Sequence, residues 1–191
     1  MVEHKIFGIE GRDGTGKSTV GLLVANETGS NYYAWRNGEL SKINKIFDKV
    51  SPFTRFLYYV SVATETALRA RELSKSADTF VDRTMVSTIA YHRAMGVPKS
   101  WIALIPKSTL NQIDTLLYFT ADDQTRSDRM QKRLLNEGTK INFNDTFSLK
   151  FSERIHSEYL HVIPDRTKIF DTSNRPPEEI AEEVERTIYG K

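Results

Sequence analysis

Cysteine is absent from all 191 residues, which excludes disulfides and thiolate metal sites and is compatible with a reducing cytoplasm. No apolar stretch approaches the roughly 20 residues a membrane helix needs. The N-terminus also lacks a basic region followed by an apolar run and a small-residue cleavage site. The expectation is a cytoplasmic protein with no membrane partner. An excess of one charge is missing as well: 27 basic and 25 acidic residues leave a net charge of +2, and no run of like charges occurs, so no surface for a nucleic-acid polymer is signalled. Cations that hold phosphate must therefore be placed locally. Internal repeats, low-complexity tracts and linkers are lacking too, and the length suits one well-buried core, so residues 1–191 are expected to form a single domain.

What the chain does contain is alternation. Met1 to Glu10 reads as a buried strand ending in Ile6-Phe7-Gly8-Ile9, followed by a glycine-rich loop and then by helical spacing from Lys17 through Val20, Leu23 and Val24. Thr79-Phe80-Val81, Thr115 to Phe119 and Thr167 to Phe170 are further short strand segments. Between them lie helix-length stretches at Pro52–Ser74, Val86–Met95, Asp122–Leu135, Phe147–Val162 and Pro177–Tyr189. Such alternation predicts an α/β fold, a parallel sheet flanked by helices on both faces, with ligands at the carboxyl ends of the strands. Leu135 to Asn144, with its Asn, Gly, Thr and Lys, reads as an exposed loop.

Gly11-Arg12-Asp13-Gly14-Thr15-Gly16-Lys17-Ser18 matches the glycine-x4-glycine-lysine-serine phosphate loop, and it stands between the predicted strand and helix as its mechanism requires. The glycines let backbone amides converge on phosphate oxygens and the helix N-terminus adds partial positive charge. Lys17, read as an exposed loop lysine, reaches the outer phosphates, and the Ser18 hydroxyl is placed to hold magnesium. GTPases share this loop, but Asn44-Lys45-Ile46-Phe47-Asp48, a superficial match to a guanine-reading motif, comes only some thirty residues after it and reads as a surface helical segment. No Asp-x-x-Gly segment follows where a second strand would end.

The longer run Ile9-Glu10-Gly11 to Lys17-Ser18-Thr19 resembles the opening of the thymidylate kinases. Val81-Asp82-Arg83, followed by Ser87 and Ala90-Tyr91, resembles that family's second block, although Thr84 stands where Tyr is usual. Weaker similarity runs on to Tyr189. The resemblance implies a P-loop nucleotide-kinase fold with a five-stranded parallel sheet and a small mobile lid, here around 126–145. It also implies ATP and Mg2+, a nucleoside monophosphate as acceptor, most specifically dTMP, and a homodimer. Residue by residue, it implies ATP binding by Gly11, Arg12, Asp13, Gly14, Thr15, Gly16, Lys17, Ser18 and Thr19, and metal support from Ser18 and Asp82. Acceptor binding falls to Asp13, Arg36, Tyr58, Arg83, Ser87, Tyr91 and His92. Arg83 is expected to clamp the acceptor phosphate bidentately. Some relatives carry an arginine inside the loop; here Gly14 follows Asp13, so the chain resembles the type whose lid supplies that charge. Among Arg126, Arg129, Lys132, Arg133 and Lys140, Arg133 is assigned the transfer-stabilising role with Lys17 and Arg83 as catalytic residues, while Arg129 is read as a brace.

The acceptor-base pocket departs from the family pattern. Counting back from Asp82 places Tyr58 at a base-stacking position but Val62 where relatives read the base with an arginine. His92, at a position where bacterial relatives carry glutamine, either reads the base or caps its helix, and Arg69 or Arg71 would compensate if the register shifts. Two rivals stay open: a nucleoside kinase using Asp82 as general base toward a hydroxyl acceptor, and a nucleotide-binding regulatory protein that has lost turnover.

Overall fold

The computed structural model describes residues 4–47, 49–105, 112–137 and 149–190. Strands β1 (Ile6–Gly11), β2 (Asn31–Ala34), β3 (Thr79–Asp82), β4 (Thr115–Thr120) and β5 (Lys168–Asp171) form one sheet in the order β2-β3-β1-β4-β5. Every pairing is parallel. The main helices are α1 (Lys17–Thr28), α2 (Pro52–Leu73), α3 (Met85–Ala94), α4 (Asp123–Glu137), α5 (Leu149–Val162) and α6 (Pro177–Tyr189). Short helical turns occupy Trp35–Asn37, Glu39–Ile43, Asn44–Phe47 and Lys99–Ile102. The α/β architecture is the expected one. The strand that patterning alone did not mark is β2, an edge strand of four half-buried residues that carries no buried apolar run.

Period-two alternation sorts β1 between two layers. Phe7 and Ile9 enter a core with Val20, Val24, Phe80, Leu117, Phe119, Phe170, Ile180 and Val184, between the sheet and α1 and α6. Phe7 and Phe80 stack with ring centroids 4.9 Å apart, and cutting Phe80 to alanine there would cost about 3–5 kcal/mol. On the opposite face Tyr118 packs with Ala90, Phe151, Ile155 and Tyr159. Phe56 of α2 packs with Met85 and Ile89 of α3. Glu10, one residue after Ile9, is thereby turned toward α3 and is fully buried. Ser51 caps α2 by accepting the Thr54 amide at 3.2 Å, with Pro52 at the first helical position.

Central β1 sends the chain to both sides of the sheet, so the carboxyl ends of β1, β3, β4 and β5 open onto a common crevice. Of the lid expected around 126–145, residues up to 137 lie on α4; residues 138–148, with Lys140 and most of the Leu135–Asn144 loop, are outside the described residues. Among the described residues no helix is long and apolar enough to cross a membrane.

Candidate active site

The loop after β1 turns through Arg12 to Gly16, and α1 starts at Lys17 behind Gly16, with no side chain capping its first amides. Those amides are left for an external anion. The loop carbonyls are drawn away from them. Arg126 Nε donates to the Asp13 carbonyl at 2.9 Å and Arg129 Nη1 to the Gly14 carbonyl at 3.3 Å. Thr172 Oγ1 donates to the Thr15 carbonyl at 2.9 Å. Because a peptide's N–H and C=O point in opposite directions, carbonyls anchored toward α4 and β5 turn the amides into the cradle. Arg129 is itself fixed by the Thr172 hydroxyl at 2.9 Å and carbonyl at 2.7 Å, and Arg126 by Asp123 at 2.7 Å. Arg12 also leaves the cradle: its Nη1 reaches Asp123 at 3.1 Å and Ser152 at 3.2 Å, so its place in the loop is a backbone one.

Gly14 has φ +81, and a Cβ there would sit 2.8 Å from the Arg126 carbonyl oxygen. An arginine inside the loop cannot stand at this position without displacing α4. With Arg126 and Arg129 engaged as braces, Arg133 is the α4 cation that acts on the loop from farther along the helix: it is one of the charges that depress the Asp13 pKa. Burial alone would raise that pKa; Arg83, Lys17, Arg36 and Arg133 overcome it and hold the carboxylate down at about 2.

Lys17 departs from its expected exposure. It is 7% exposed, and its Nζ lies 3.4 Å from the Arg12 carbonyl and 3.8 Å from Asp13. Burial, reinforced by Arg83, pushes its ammonium down to about 8 against the pull of Asp13. Ser18 and Thr19 are exposed at the head of α1. Ser18 Oγ donates to Asp82 Oδ2 at 2.5 Å, and Tyr32 donates to the same oxygen at 2.8 Å. Asp82 Oδ1 is buried with no hydrogen-bond partner. A hydroxyl beside a carboxylate oxygen of unmet capacity is a hard-oxygen set that suits Mg2+, whose remaining positions are filled by water and substrate phosphate. Among the described residues no cluster of three acidic, histidine or cysteine side chains forms a protein-only metal cage.

Arg83 follows β3 with φ +71, a left-handed conformation uncommon for a residue with a side chain. Its amide donates to the Ile9 carbonyl at 3.0 Å. Its guanidinium donates to Asp13, to Tyr159 Oη at 3.3 Å, and to Ser87 Oγ and the Gly11 carbonyl at 3.4 Å, and it lies 5.2 Å from the Tyr91 ring centroid. Burial opposes its charge, yet Tyr91, Asp13, Tyr159 and Asp82 together lift its pKa above the ordinary value.

Beneath Arg83 lies a residue to which sequence reasoning gave no role. Glu10 accepts from the Thr84 amide and hydroxyl, both at 2.7 Å, from the Ser87 amide at 3.1 Å and hydroxyl, and from Tyr159 Oη at 3.0 Å. The carboxylate thus ties β1 to the start of α3 and fixes the turn that carries Arg83. Its signal was available: a glutamate at a buried strand position adjoining the loop.

The expected acceptor residues separate into two groups. Asp13, Arg83, Ser87 and Tyr91 converge beside Lys17 and the Asp82 pair. Arg36 is exposed on the turn after β2, over Trp35 at 5.7 Å, and reaches Asp13 through its field. Tyr58 is not presented to a ligand: Phe47 stacks on it at 3.9 Å and 3°, and its hydroxyl donates to the Leu40 carbonyl at 2.7 Å. Its neighbour Tyr59, passed over in the sequence, faces Trp35 and His92 with centroids 6.1 and 5.4 Å away. His92 is buried, its Nδ1 2.7 Å from the Thr88 carbonyl and its Nε2 without a partner. Burial lowers its pKa to about 4, so the ring is neutral near pH 7, donating from Nδ1 and offering Nε2 as an acceptor. Val62 is buried, while Arg69 and Arg71 are exposed. Arg55, a buried cation whose guanidinium lies 5.7 Å from the Tyr59 centroid, is the α2 arginine that reaches this region, and nothing in its spacing marked it.

A phosphate loop facing a half-buried guanidinium across the ends of two adjacent parallel strands defines a P-loop phosphotransferase of the nucleoside monophosphate kinase type. The chain belongs to the thymidylate kinase family, whose model matches residues 9–184. It is 26% identical over 193 residues to a protein named probable thymidylate kinase from Methanococcus maripaludis, covering 98% of this chain and 96% of that one. Similarity to the protein of the same name from Methanocaldococcus jannaschii is 26% over 191 residues, covering 96% and 95%. A solved thymidylate kinase structure from Candida albicans superposes with a TM-score of 0.76 at 18% identity, over 98% of this chain and 92% of that one. At that identity the likeness speaks for the fold.

Proposed function

We propose that this protein transfers the terminal phosphoryl group of ATP to the phosphate of dTMP, giving ADP and dTDP, with Mg2+ as the accompanying cation. The observation that carries this reading is Arg83, a half-buried guanidinium held in a left-handed turn beside Lys17 and Asp13, placed to serve as a second phosphate site opposite the loop. Family membership and the names of the archaeal relatives support the same reading.

The loop amides hold the ATP phosphates, and Lys17 swings from the Arg12 carbonyl onto the outer ones. Arg83 and Arg36 hold the acceptor phosphate while Asp13 orients the sugar. An oxygen of the acceptor phosphate attacks the terminal phosphorus; the new P–O bond forms as the bond to the β-phosphate oxygen breaks, and the electron pair leaves with ADP. That oxygen is already anionic, so no general base is needed and positioning with charge neutralisation carries the rate. Lys17 and Arg133 offset the charge that spreads over the transferring group. Ser18 and Asp82 would hold Mg2+, which supplies further neutralisation at the phosphates. Neutral His92, with a bare acceptor at Nε2, complements the N3–H of thymine and opposes the N3 lone pair of cytosine. A homodimer is the assembly proposed from family membership, and use of ATP suits a cytoplasmic setting.

The decisive experiment measures ADP release with dTMP, dUMP, dCMP and thymidine as acceptors, with the product identified by chromatography. Formation of dTDP from dTMP is expected. Turnover of thymidine but not dTMP overturns the reading in favour of a nucleoside kinase, and ATP binding without any diphosphate product overturns it in favour of a regulatory protein.

A further inference from the structure

Tyr32 belongs to none of the roles above, yet its hydroxyl ends on the carboxylate beside the phosphate loop. In the β2–β3 register Ala34 pairs with Asp82, so Tyr32, two residues upstream, projects on the same face as Asp82. Its phenol runs along the sheet to reach Asp82 Oδ2 at 2.8 Å, where the Ser18 hydroxyl also arrives at 2.5 Å. Passage for the ring depends on α1. A Cβ at Gly21 would meet Tyr32 Cε2 at 3.2 Å and would overlap Ile9 Cδ1, so a side chain there would crowd the ring whose hydroxyl reaches Asp82.

Two donors on one carboxylate oxygen fix the carboxylate plane. Oδ2 is occupied, and Oδ1 is left buried with no partner. A buried acceptor without a donor is costly unless a ligand or its water completes it.

Resting on the proposed Ser18 and Asp82 metal site, we propose that Tyr32 is a positioning residue that locks the Asp82 carboxylate so that Oδ1 faces the Mg2+–phosphate centre. It does not touch substrate or metal; it acts through Asp82. Outer partners of this kind typically change metal affinity by roughly 10–100-fold when removed. Because Ser18 still anchors Oδ2 after Tyr32 is lost, the lower end, about tenfold, is expected here.

The test is Tyr32→Phe, which keeps the ring beside Gly21 and removes the hydroxyl. Binding of ATP is measured by calorimetry with Mg2+ and again with chelator, for wild type, Tyr32→Phe and Asp82→Asn, together with the Mg2+ dependence of turnover. Tyr32→Phe is expected to weaken Mg2+–ATP binding about tenfold and raise the half-saturating Mg2+ to match, with ATP affinity in chelator unchanged. Equal weakening in both conditions would make Tyr32 a packing residue and overturn the proposal. A wild-type ratio in Tyr32→Phe beside an impaired Asp82→Asn overturns the Tyr32 role alone. Wild-type ratios in both variants overturn the metal site and the proposal with it.

Discussion

Replacing Glu10 separates its charge from its hydrogen bonds. In Glu10→Ala the Thr84 and Ser87 amides lose their acceptor inside the protein, while the Thr84, Ser87 and Tyr159 hydroxyls can turn elsewhere. An unsatisfied buried donor costs about 1–3 kcal/mol, so two amides set an expected loss near 4 kcal/mol. Glu10→Gln keeps one carbonyl oxygen for the amides, and the hydroxyls at the other position can rotate to accept from the new NH2. The loss is then chiefly the charge assistance, about 2 kcal/mol. Because this carboxylate fixes the turn bearing Arg83, the functional effect should be asymmetric. The glutamine variant should lose tenfold or more in kcat/KM for the monophosphate, with KM for ATP moving less than about twofold. Urea denaturation at pH 7 and steady-state kinetics with each substrate varied in turn measure both quantities. An alanine variant within about 1 kcal/mol of wild type would refute the reasoning about the amides. A glutamine variant that loses ATP and acceptor efficiency equally would refute the link to Arg83.

Arg83→Ala is expected to lower acceptor efficiency by at least a hundredfold while ATP binding changes little, since its guanidinium is the proposed clamp on the acceptor phosphate; equal losses toward both substrates would move it out of that role. Lys17, held down at about 8 in the ligand-free protein, is partly neutral near pH 8, and ATP phosphates restore its charge. Calorimetry at pH 8 in buffers of different ionisation enthalpy should therefore detect uptake of roughly half a proton on ATP binding, larger at pH 9 and smaller at pH 7. Lys17→Ala should abolish both that uptake and turnover, and uptake that survives the substitution would assign the proton to another group. His92→Ala should reduce the dTMP to dCMP efficiency ratio by about tenfold or more; an unchanged ratio would remove His92 from base reading and direct attention to Arg55.

How much was legible in advance differed from place to place along the chain. Runs such as Phe7 to Ile9 and Leu116 to Phe119 announced their strands because both faces of a parallel sheet are covered, and the spacing of Gly11, Gly16, Lys17 and Ser18 announced a phosphate cradle because that chemistry is done by consecutive backbone. The placing of Asp82 and Arg83 as neighbours at a strand end was legible for the same reason. Short half-buried β2 gave no such signal. Side-chain allegiance was decided by residues far apart in sequence. Arg12 is drawn out of the cradle by Asp123 and Ser152, Lys17 is folded under its own loop, and Tyr58 is covered by Phe47. Glu10, Tyr32 and Arg55 gain their meaning from partners brought to them by the sheet and by helix packing. Backbone geometry is a local property that a short motif can encode, whereas the pairing of buried polar groups is settled only when desolvation forces each to find a partner across the fold.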